Sequence, residues 1–315
     1  MGTLSTVSSR LCLSGLALLT VIAYARVWWF GFVYDDPFWI EAAPGPWALA
    51  AWIGGGLPWA FHGLALTLHL VNGGLLWVIA RRWLSPLAAL VVLTVFWLHP
   101  LQVEAVAYVS GSWEVLLATY LLIAIWGFLR GQWWSVAFGA GALGLALSLK
   151  WSALALLMTV PVVGWSAVPR RVRVVGLSTM AIVGGAVIGR GWPTIATWIH
   201  AGDQGESVRA VALAIWRYLA FVIWPTGFSI EHDWTAVPVA LGWLALAGLL
   251  ALGVVAWRSR VTWCAWVLVA GGLLPRAAAL HMPPLTEHHM YVPFLAVWVV
   301  AGAAFDSYHE RLTHG

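Results

Sequence analysis

Residues 237–257 read VPVALGWLALAGLLALGVVAW, an unbroken stretch without a single charged side chain. The hydrocarbon core of a bilayer is roughly 30 Å thick, so a helix needs about 20 apolar residues to cross it. Similar stretches recur along all 315 residues, of which 62% are hydrophobic and 9% are charged. Soluble domains carry roughly 25% charged residues. The sequence therefore predicts an all-α polytopic membrane protein.

Apolar length and the positions of basic residues together predict about ten transmembrane helices and their direction. Cytoplasmic loops are enriched in Lys and Arg. Arg81, Arg82, Arg130 and Arg258 therefore mark cytoplasmic turns, and we expect both termini in the cytoplasm. The predicted spans cover residues 11–31, 57–80, 84–98, 113–129, 132–148, 151–168, 174–189, 237–257, 261–279 and 291–305.

The segment 207–224 is apolar enough to span a membrane, but it carries Arg209 and Arg217. If it spanned, the basic turn that includes Arg258 would face outward, against the predicted orientation. We therefore expect an interfacial or re-entrant helix at the outer face. The two arginines are eight residues apart and lie near one face of such a helix. Residues 1–315 are expected to form a single membrane domain.

The charged residues divide unequally between the two predicted faces. The net charge of +4 comes from basic residues that cluster at span ends, so topology explains it and nucleic acid is not an expected partner. Ionisable groups near a bilayer usually face a polar cavity or one another. Ten of the twelve acids fall at or near the outer face, which predicts an acidic cavity there. They are Asp35, Asp36, Glu41, Glu104, Glu114, Asp203, Glu206, Glu231, Asp233 and Glu287.

Two adjacent aspartates, Asp35 and Asp36, follow the first predicted span in the stretch FVYDDP, residues 32–37. A carboxylate at the outer face can act as the general base for an acceptor hydroxyl. Two other interpretations stay open, a divalent-cation ligand and a solvated turn before Pro37. We take the general base as the working hypothesis, with Asp35 ahead of its neighbour. The two cysteines, Cys12 and Cys264, both fall inside apolar spans, so we expect neither a disulfide nor a metal cluster from them.

The stretch LHPLQVEAVAYVSG, residues 98–111, resembles a segment of membrane O-mannosyltransferases that carry tetratricopeptide repeats, and of their bacterial relatives. These enzymes belong to the GT-C superfamily of polytopic glycosyltransferases, which use sugars linked to a lipid phosphate. Four shorter stretches also resemble motifs of this family and occur in the family's order along the chain. Residues 32–36 and 69–72 precede the stretch 98–111, and residues 217–225 and 287–293 come after it. The resemblance implies a GT-C-like fold and a bacterial inner membrane as the location.

The resemblance also implies a reaction and its participants. The donor would be a polyprenyl-phosphate sugar that enters from the membrane lipid, and the acceptor would be a hydroxyl of a protein or glycan. The sugar would be transferred with inversion. The implied catalytic residues are Asp35, Asp36 and Glu104. The residues that would bind the lipid phosphate or line the site are Lys150, Arg209, Arg217 and Glu287.

Each of these candidates also has a structural interpretation. Glu104 follows Pro100 closely enough to be an acid in the first turns of a helix, where it favours the helix dipole. Lys150, at a span end, can extend its charge to the interface, and Glu287 can pair with Arg276. Arg217 is costly inside an apolar segment unless it is paired, and a bidentate phosphate contact suits its geometry.

Three further polar residues are predicted to be structural. His69 and Asn72 are three residues apart in the second span, a spacing that predicts an interhelical hydrogen bond. His99 precedes Pro100 and is expected to form a hydrogen bond at a helix start.

The chain also departs from the family that it resembles. Trp151 and His288 stand where the family has Glu and Arg, and tetratricopeptide repeats are missing from these 315 residues. These departures keep a second hypothesis open, in which the chain is a catalytically degenerate subunit that acts as a scaffold or assembly partner in a membrane complex. The first hypothesis is a glycosyltransferase with an aspartate base at the outer face.

Overall fold

The computed structural model describes residues 6–41, 46–149, 204–228, 238–273 and 286–314, with isolated positions between 153 and 189. These residues form helices and contain no β-strand. In chain order the α-helices are α1 Thr6–Ala23, α2 Asp36–Glu41, α3 Pro46–Gly54, α4 Pro58–Ala80, α5 Pro86–Leu98, α6 Val103–Ala107, α7 Trp113–Arg130, α8 Trp133–Leu149, α9 Gln204–Ile223, α10 Val239–Ala256, α11 Arg260–Trp266 and α12 Tyr291–His314.

Among the described residues, four helical segments are long and apolar enough to cross a membrane, namely Pro58–Ala80, Ser110–Arg130, Val239–Ala256 and Glu287–His309. A fifth crossing is added if Pro86–Leu98 and Pro100–Ala107 count as one span, bent by 52°. The described residues thus have the all-α structure that the composition predicts, with several helices able to cross a membrane.

Several predicted spans differ from the helices observed. The first, predicted over 11–31, ends as α-helix at Ala23 and continues as a 3₁₀ turn over Ala25–Trp29. The span predicted over 261–279 begins as the short helix α11 and widens into a π-helical turn over Val267–Gly271. The spans predicted over 151–168 and 174–189 lie almost wholly outside the described residues, so the total of ten remains a prediction.

The break between α5 and α6 occurs at a proline. Pro100 disfavours the helical conformation for the residue before it, and His99 is accordingly extended, with φ −70° and ψ 132°. The His99 ring then accepts a hydrogen bond from the Leu101 N–H at 3.2 Å, which caps the new turn. The structural role predicted for His99 is confirmed, and the bend brings α6 to the site described below.

Small residues allow the central helices to approach closely. A Cβ on Gly127 of α7 would collide with the Ser135 carbonyl oxygen of α8, and one on Gly139 would lie 3.0 Å from the Ala124 carbonyl oxygen. Gly73 of α4 similarly leaves room for the Trp97 ring of α5, whose Nε1–H donates to the His69 carbonyl at 3.1 Å. Such contacts between small residues and helix backbones are typical of membrane helix packing.

A buried polar cluster joins α4, α7 and α12. The His69 ring nitrogen Nδ1 lies 2.7 Å from the Tyr291 hydroxyl. The Asn72 amide donates to that hydroxyl at 3.2 Å and to the Val115 carbonyl at 2.8 Å. The predicted interhelical hydrogen bonding of His69 and Asn72 is therefore confirmed.

The two ends of the helix bundle differ in character. At one end the Asp306 carboxylate of α12 accepts hydrogen bonds from the Ser85 N–H, at 2.6 Å, and from the Ser85 hydroxyl at the start of α5. Arg81 and Arg130 end α4 and α7 on this side. The opposite end is formed by the first residues of α4, α7 and α12, and the aspartate pair and residues 98–111 gather there.

Candidate functional site

An open cavity of about 450 Å³ lies at the end of the bundle opposite Arg81 and Arg130. Its wall is mostly apolar and includes Phe30, Tyr108 and Phe228. Two acids, Glu104 and Glu287, also line it. No lysine or arginine occurs in the lining formed by the described residues. The volume is within the roughly 300–1,000 Å³ usual for small-molecule sites.

Asp36 is fully buried and acts as a structural clamp. One carboxylate oxygen accepts the Val33 N–H at 3.0 Å and so closes a tight turn. The other accepts both the N–H and the hydroxyl of Ser110, at 2.8 and 2.9 Å. Within this turn Tyr34 has a φ of +50°, which is uncommon for a residue other than glycine. Asp36 thus ties the first loop to the segment that precedes α7.

Asp35, by contrast, has an exposed side chain that contacts the cavity wall. The Tyr108 hydroxyl donates a short hydrogen bond to the Asp35 carboxylate. Partial burial and this hydrogen bond raise the pKa of the Tyr108 phenol above its ordinary value. The phenol therefore stays protonated at neutral pH and keeps its hydrogen available to the carboxylate.

Glu104 is held from two directions by His288, a residue that lies 184 positions later in the chain. The His288 backbone N–H donates to Glu104 Oε2 at 2.9 Å. The His288 ring nitrogen Nδ1 lies 2.8 Å from Glu104 Oε1. Both side chains are mostly buried, with 13% of Glu104 and 12% of His288 exposed. The pair joins α6 to the turn that begins α12.

Glu287 is 3% exposed and lines the same cavity as Glu104. It opens the 3₁₀ turn Glu287–Met290, which leads directly into α12. Arg276, its predicted partner, lies outside the described residues. Five of the acids predicted for the outer face thus lie at one end of the bundle. Glu104 and Glu287 line the cavity, Asp35 accepts from Tyr108, Asp36 is the clamp, and Glu114 is buried in the first turn of α7.

The predicted donor-binding arginines do not line this cavity. The Arg217 side chain is exposed, and its guanidinium carbon lies 5.5 Å from the centre of the Phe221 ring. That ring is 5.1 Å from Phe228, which does line the cavity. Arg209 packs between helices, with its guanidinium 5.5 Å from the Trp243 ring of α10. Lys150 lies outside the described residues.

Two site residues, Tyr108 and His288, were not expected from the sequence. Tyr108 is four residues after Glu104, a spacing that places both on one side of a helical segment, and this signal could have identified it. His288 could not have been found in this way, because its pairing with Glu104 depends on the tertiary fold. Gly111 fits tightly beneath both, since a Cβ there would lie 3.1 Å from Tyr108 and 3.2 Å from His288.

The chemistry available at the cavity is that of carboxylates beside aromatic rings. Carboxylates accept hydrogen bonds from hydroxyl groups, and an exposed one can also take a proton. Within the described ranges, His, Cys, Asp and Glu do not form a group of three or more that could hold a metal ion. The site therefore fits a ligand rich in hydroxyl groups better than it fits a phosphate.

Comparison of the chain with protein-family models, with curated proteins and with solved structures finds no match.

Proposed function

We propose that the protein transfers a sugar from a polyprenyl-phosphate donor to an acceptor hydroxyl at the outer face of the membrane. The acceptor oxygen forms a bond to the anomeric carbon while the bond from that carbon to the phosphate oxygen breaks. Polyprenyl phosphate leaves with the bonding electrons, and Asp35 takes the hydroxyl proton. Attack opposite the leaving group inverts the anomeric centre. The proposal includes a GT-C-like arrangement of about ten spans.

The observation that carries the proposal is the convergence of distant acids on one cavity. Glu104 and Glu287 line a space large enough for a sugar, and Asp35 accepts a hydrogen bond from Tyr108 in its wall. The three acids come from three separate parts of the chain. Buried or partly buried acids in a membrane protein are costly, and they usually mark a functional site. The resemblance of residues 98–111 to GT-C enzymes points to the same chemistry.

The structure favours Asp35 over Asp36 as the proton acceptor. Asp36 accepts hydrogen bonds from the Val33 N–H and from the N–H and hydroxyl of Ser110, and its side chain has no exposed surface. Asp35 is exposed and is oriented by Tyr108. A general base must reach the proton that it removes, so we assign this role to Asp35 and a structural role to Asp36.

The donor phosphate would bind outside the acidic cavity. A phosphate carries negative charge and is repelled by Glu104 and Glu287. Arg217, near Phe221 and Phe228 at the edge of the cavity, has the guanidinium geometry for a bidentate phosphate contact. We therefore propose that Arg217 binds the lipid phosphate, with Arg209 or Lys150 assisting, while the sugar occupies the cavity.

The test is sugar transfer by the full chain reconstituted in lipid vesicles with a polyprenyl-phosphate sugar and a peptide rich in Ser and Thr. We expect Asp35→Asn to lower kcat by at least about 100-fold, because general-base catalysis contributes roughly 10²–10⁴-fold.

The matched control is Glu310→Gln, a carboxylate change about 28 Å along α12 from the cavity, at a helical rise of 1.5 Å per residue. Glu310→Gln should transfer sugar at the wild-type rate. Undiminished transfer by Asp35→Asn would remove this residue from the mechanism. A wild-type chain that transfers no sugar would contradict the proposal and favour the scaffold hypothesis.

A further inference from the structure

His288 makes two hydrogen bonds to a single carboxylate, and both depend on its position at the start of α12. The backbone N–H and the ring Nδ1 contact different oxygens of Glu104, at 2.9 and 2.8 Å. Each carboxylate oxygen has two lone pairs. The two contacts with His288 fix the orientation of the Glu104 carboxylate at the wall of the cavity, where carboxylate oxygens can accept hydrogen bonds from hydroxyl groups.

The contact with Glu104 assigns the proton on the His288 ring. An ionised carboxylate only accepts hydrogen bonds, so His288 Nδ1, 2.8 Å from Glu104 Oε1, is the donor. The Thr286 hydroxyl lies beside the same ring, 2.8 Å from Nδ1 and 3.3 Å from Nε2. His289 Nδ1 accepts the Thr286 backbone N–H at 3.1 Å and so holds the turn that carries His288.

Packing keeps the His288 ring in this place. Its centre is 5.9 Å from the Tyr108 ring, in an edge-on arrangement. Gly111 lies against the ring, where a Cβ would be 3.2 Å from the first two side-chain carbons of His288. The same Tyr108 donates to Asp35. The carboxylates of Asp35 and Glu104 are therefore oriented by Tyr108 and His288, whose rings pack against each other.

We infer that His288 is a positioning residue, which orients the Glu104 carboxylate so that it accepts hydrogen bonds from hydroxyl groups of the transferred sugar. The inference rests on the proposed function, since it assigns the sugar to the cavity. Hydrogen bonds to a charged group are stronger than bonds between neutral groups. Glu104 thus strengthens the binding of the sugar part of the donor and does not contribute to the binding of the lipid phosphate.

The test compares the binding of two lipids to the full chain in nanodiscs, polyprenyl-phosphate mannose and the same polyprenyl phosphate without a sugar. We expect His288→Ala to raise the Kd of the mannose lipid about tenfold, as the loss of one hydrogen bond to a carboxylate predicts. The Kd of the lipid without sugar should stay the same. A residue that only stabilised the fold would alter both constants together.

His288→Asn is the conservative variant, because its amide nitrogen occupies nearly the position of imidazole Nδ1 and can donate to Glu104. It should restore most of the affinity for the mannose lipid. Glu104→Gln should lose affinity selectively, as His288→Ala does, and it provides the same test if His288→Ala fails to fold. His309→Ala, a histidine change at the far end of α12, should alter neither constant.

Equal losses for both lipids, or wild-type affinity in His288→Ala, would overturn the inference. So would a His288→Asn variant that binds the mannose lipid as weakly as His288→Ala does. The binding test needs no turnover. Selective binding that depends on His288, in a chain that transfers no sugar, would therefore contradict the proposed transfer reaction while supporting the role of His288.

Discussion

Asp35 and Asp36 are neighbours in the chain, yet they occupy opposite environments. Asp36 is buried and accepts hydrogen bonds from Val33 and Ser110, whereas Asp35 is exposed and is contacted by the Tyr108 hydroxyl. The turn from Val33 to Asp36, with Tyr34 in the left-handed region, separates the two side chains. A doublet that resembles one acidic motif in the sequence therefore divides into a structural residue and a candidate base.

We predict that Asp36→Asn lowers the free energy of unfolding by about 1–3 kcal/mol, the usual cost of a buried polar group that loses its partner. Both carboxylate oxygens of Asp36 accept from N–H groups. An amide has one oxygen, so in either orientation its NH₂ group faces a donor. The measurement is the denaturation midpoint of the purified chain in detergent micelles.

Asp35→Asn is the matched control for this change. The Asn oxygen still accepts from the Tyr108 hydroxyl, so the unfolding free energy should remain within about 0.5 kcal/mol of the wild-type value, as for most exposed substitutions. Equal destabilisation by the two variants would contradict the division of roles between Asp35 and Asp36.

At the level of the helices, close approach depends on where glycine occurs. Gly73 and Gly74 are adjacent in α4, but only Gly73 faces the Trp97 ring of α5. Gly74 has open space around the position of a Cβ. Composition and span length predict that α4 crosses the membrane, but they do not show which of its glycines faces a neighbour, because the pairing of helices is set by the tertiary fold.

We predict that Gly73→Ala lowers the free energy of unfolding by about 1–3 kcal/mol, the usual cost of overpacking. The added methyl group would displace Trp97 and weaken its hydrogen bond to the His69 carbonyl. Gly74→Ala should be neutral or stabilising by up to about 1 kcal/mol, because alanine favours a helix more than glycine does. Denaturation midpoints in the same detergent test both changes, and similar losses in the two variants would contradict this packing.

The sequence predicts some features of these helices and not others. The break at Pro100 and the hydrogen bonds of His69 and Asn72 follow from local rules, since proline restricts its predecessor and polar groups in a membrane find partners. The 3₁₀ turn over Ala25–Trp29 does not follow from apolar length. Trp28 packs there against Gly63 of α4, where a Cβ would lie 2.7 Å from its ring. That contact joins distant residues and leaves no local pattern.

For the whole molecule, the positions of charged residues in the sequence predict which residues lie at each end of the bundle. They predict less well which residues line the cavity. Arg81 and Arg130 lie at one end, and the cavity with Glu104 and Glu287 lies at the other. That this second end faces outward remains a prediction from the positive-inside rule. The resemblance to GT-C enzymes also implied that Arg217 would bind the lipid phosphate or line the same site as the acids. Arg217 instead lies beyond Phe221, because the face of α9 that carries it does not line the cavity.

In the proposed reaction, the acidic cavity holds the sugar of a lipid-linked donor. The most direct measurement is an electron cryomicroscopy structure of the Asp35→Asn chain in nanodiscs, saturated with a polyprenyl-phosphate sugar. We predict density for the sugar in the cavity, within hydrogen-bonding distance of Glu104 and residue 35, and density for the phosphate towards Arg217. Donor density elsewhere on the chain, with the cavity holding only solvent, would contradict the account.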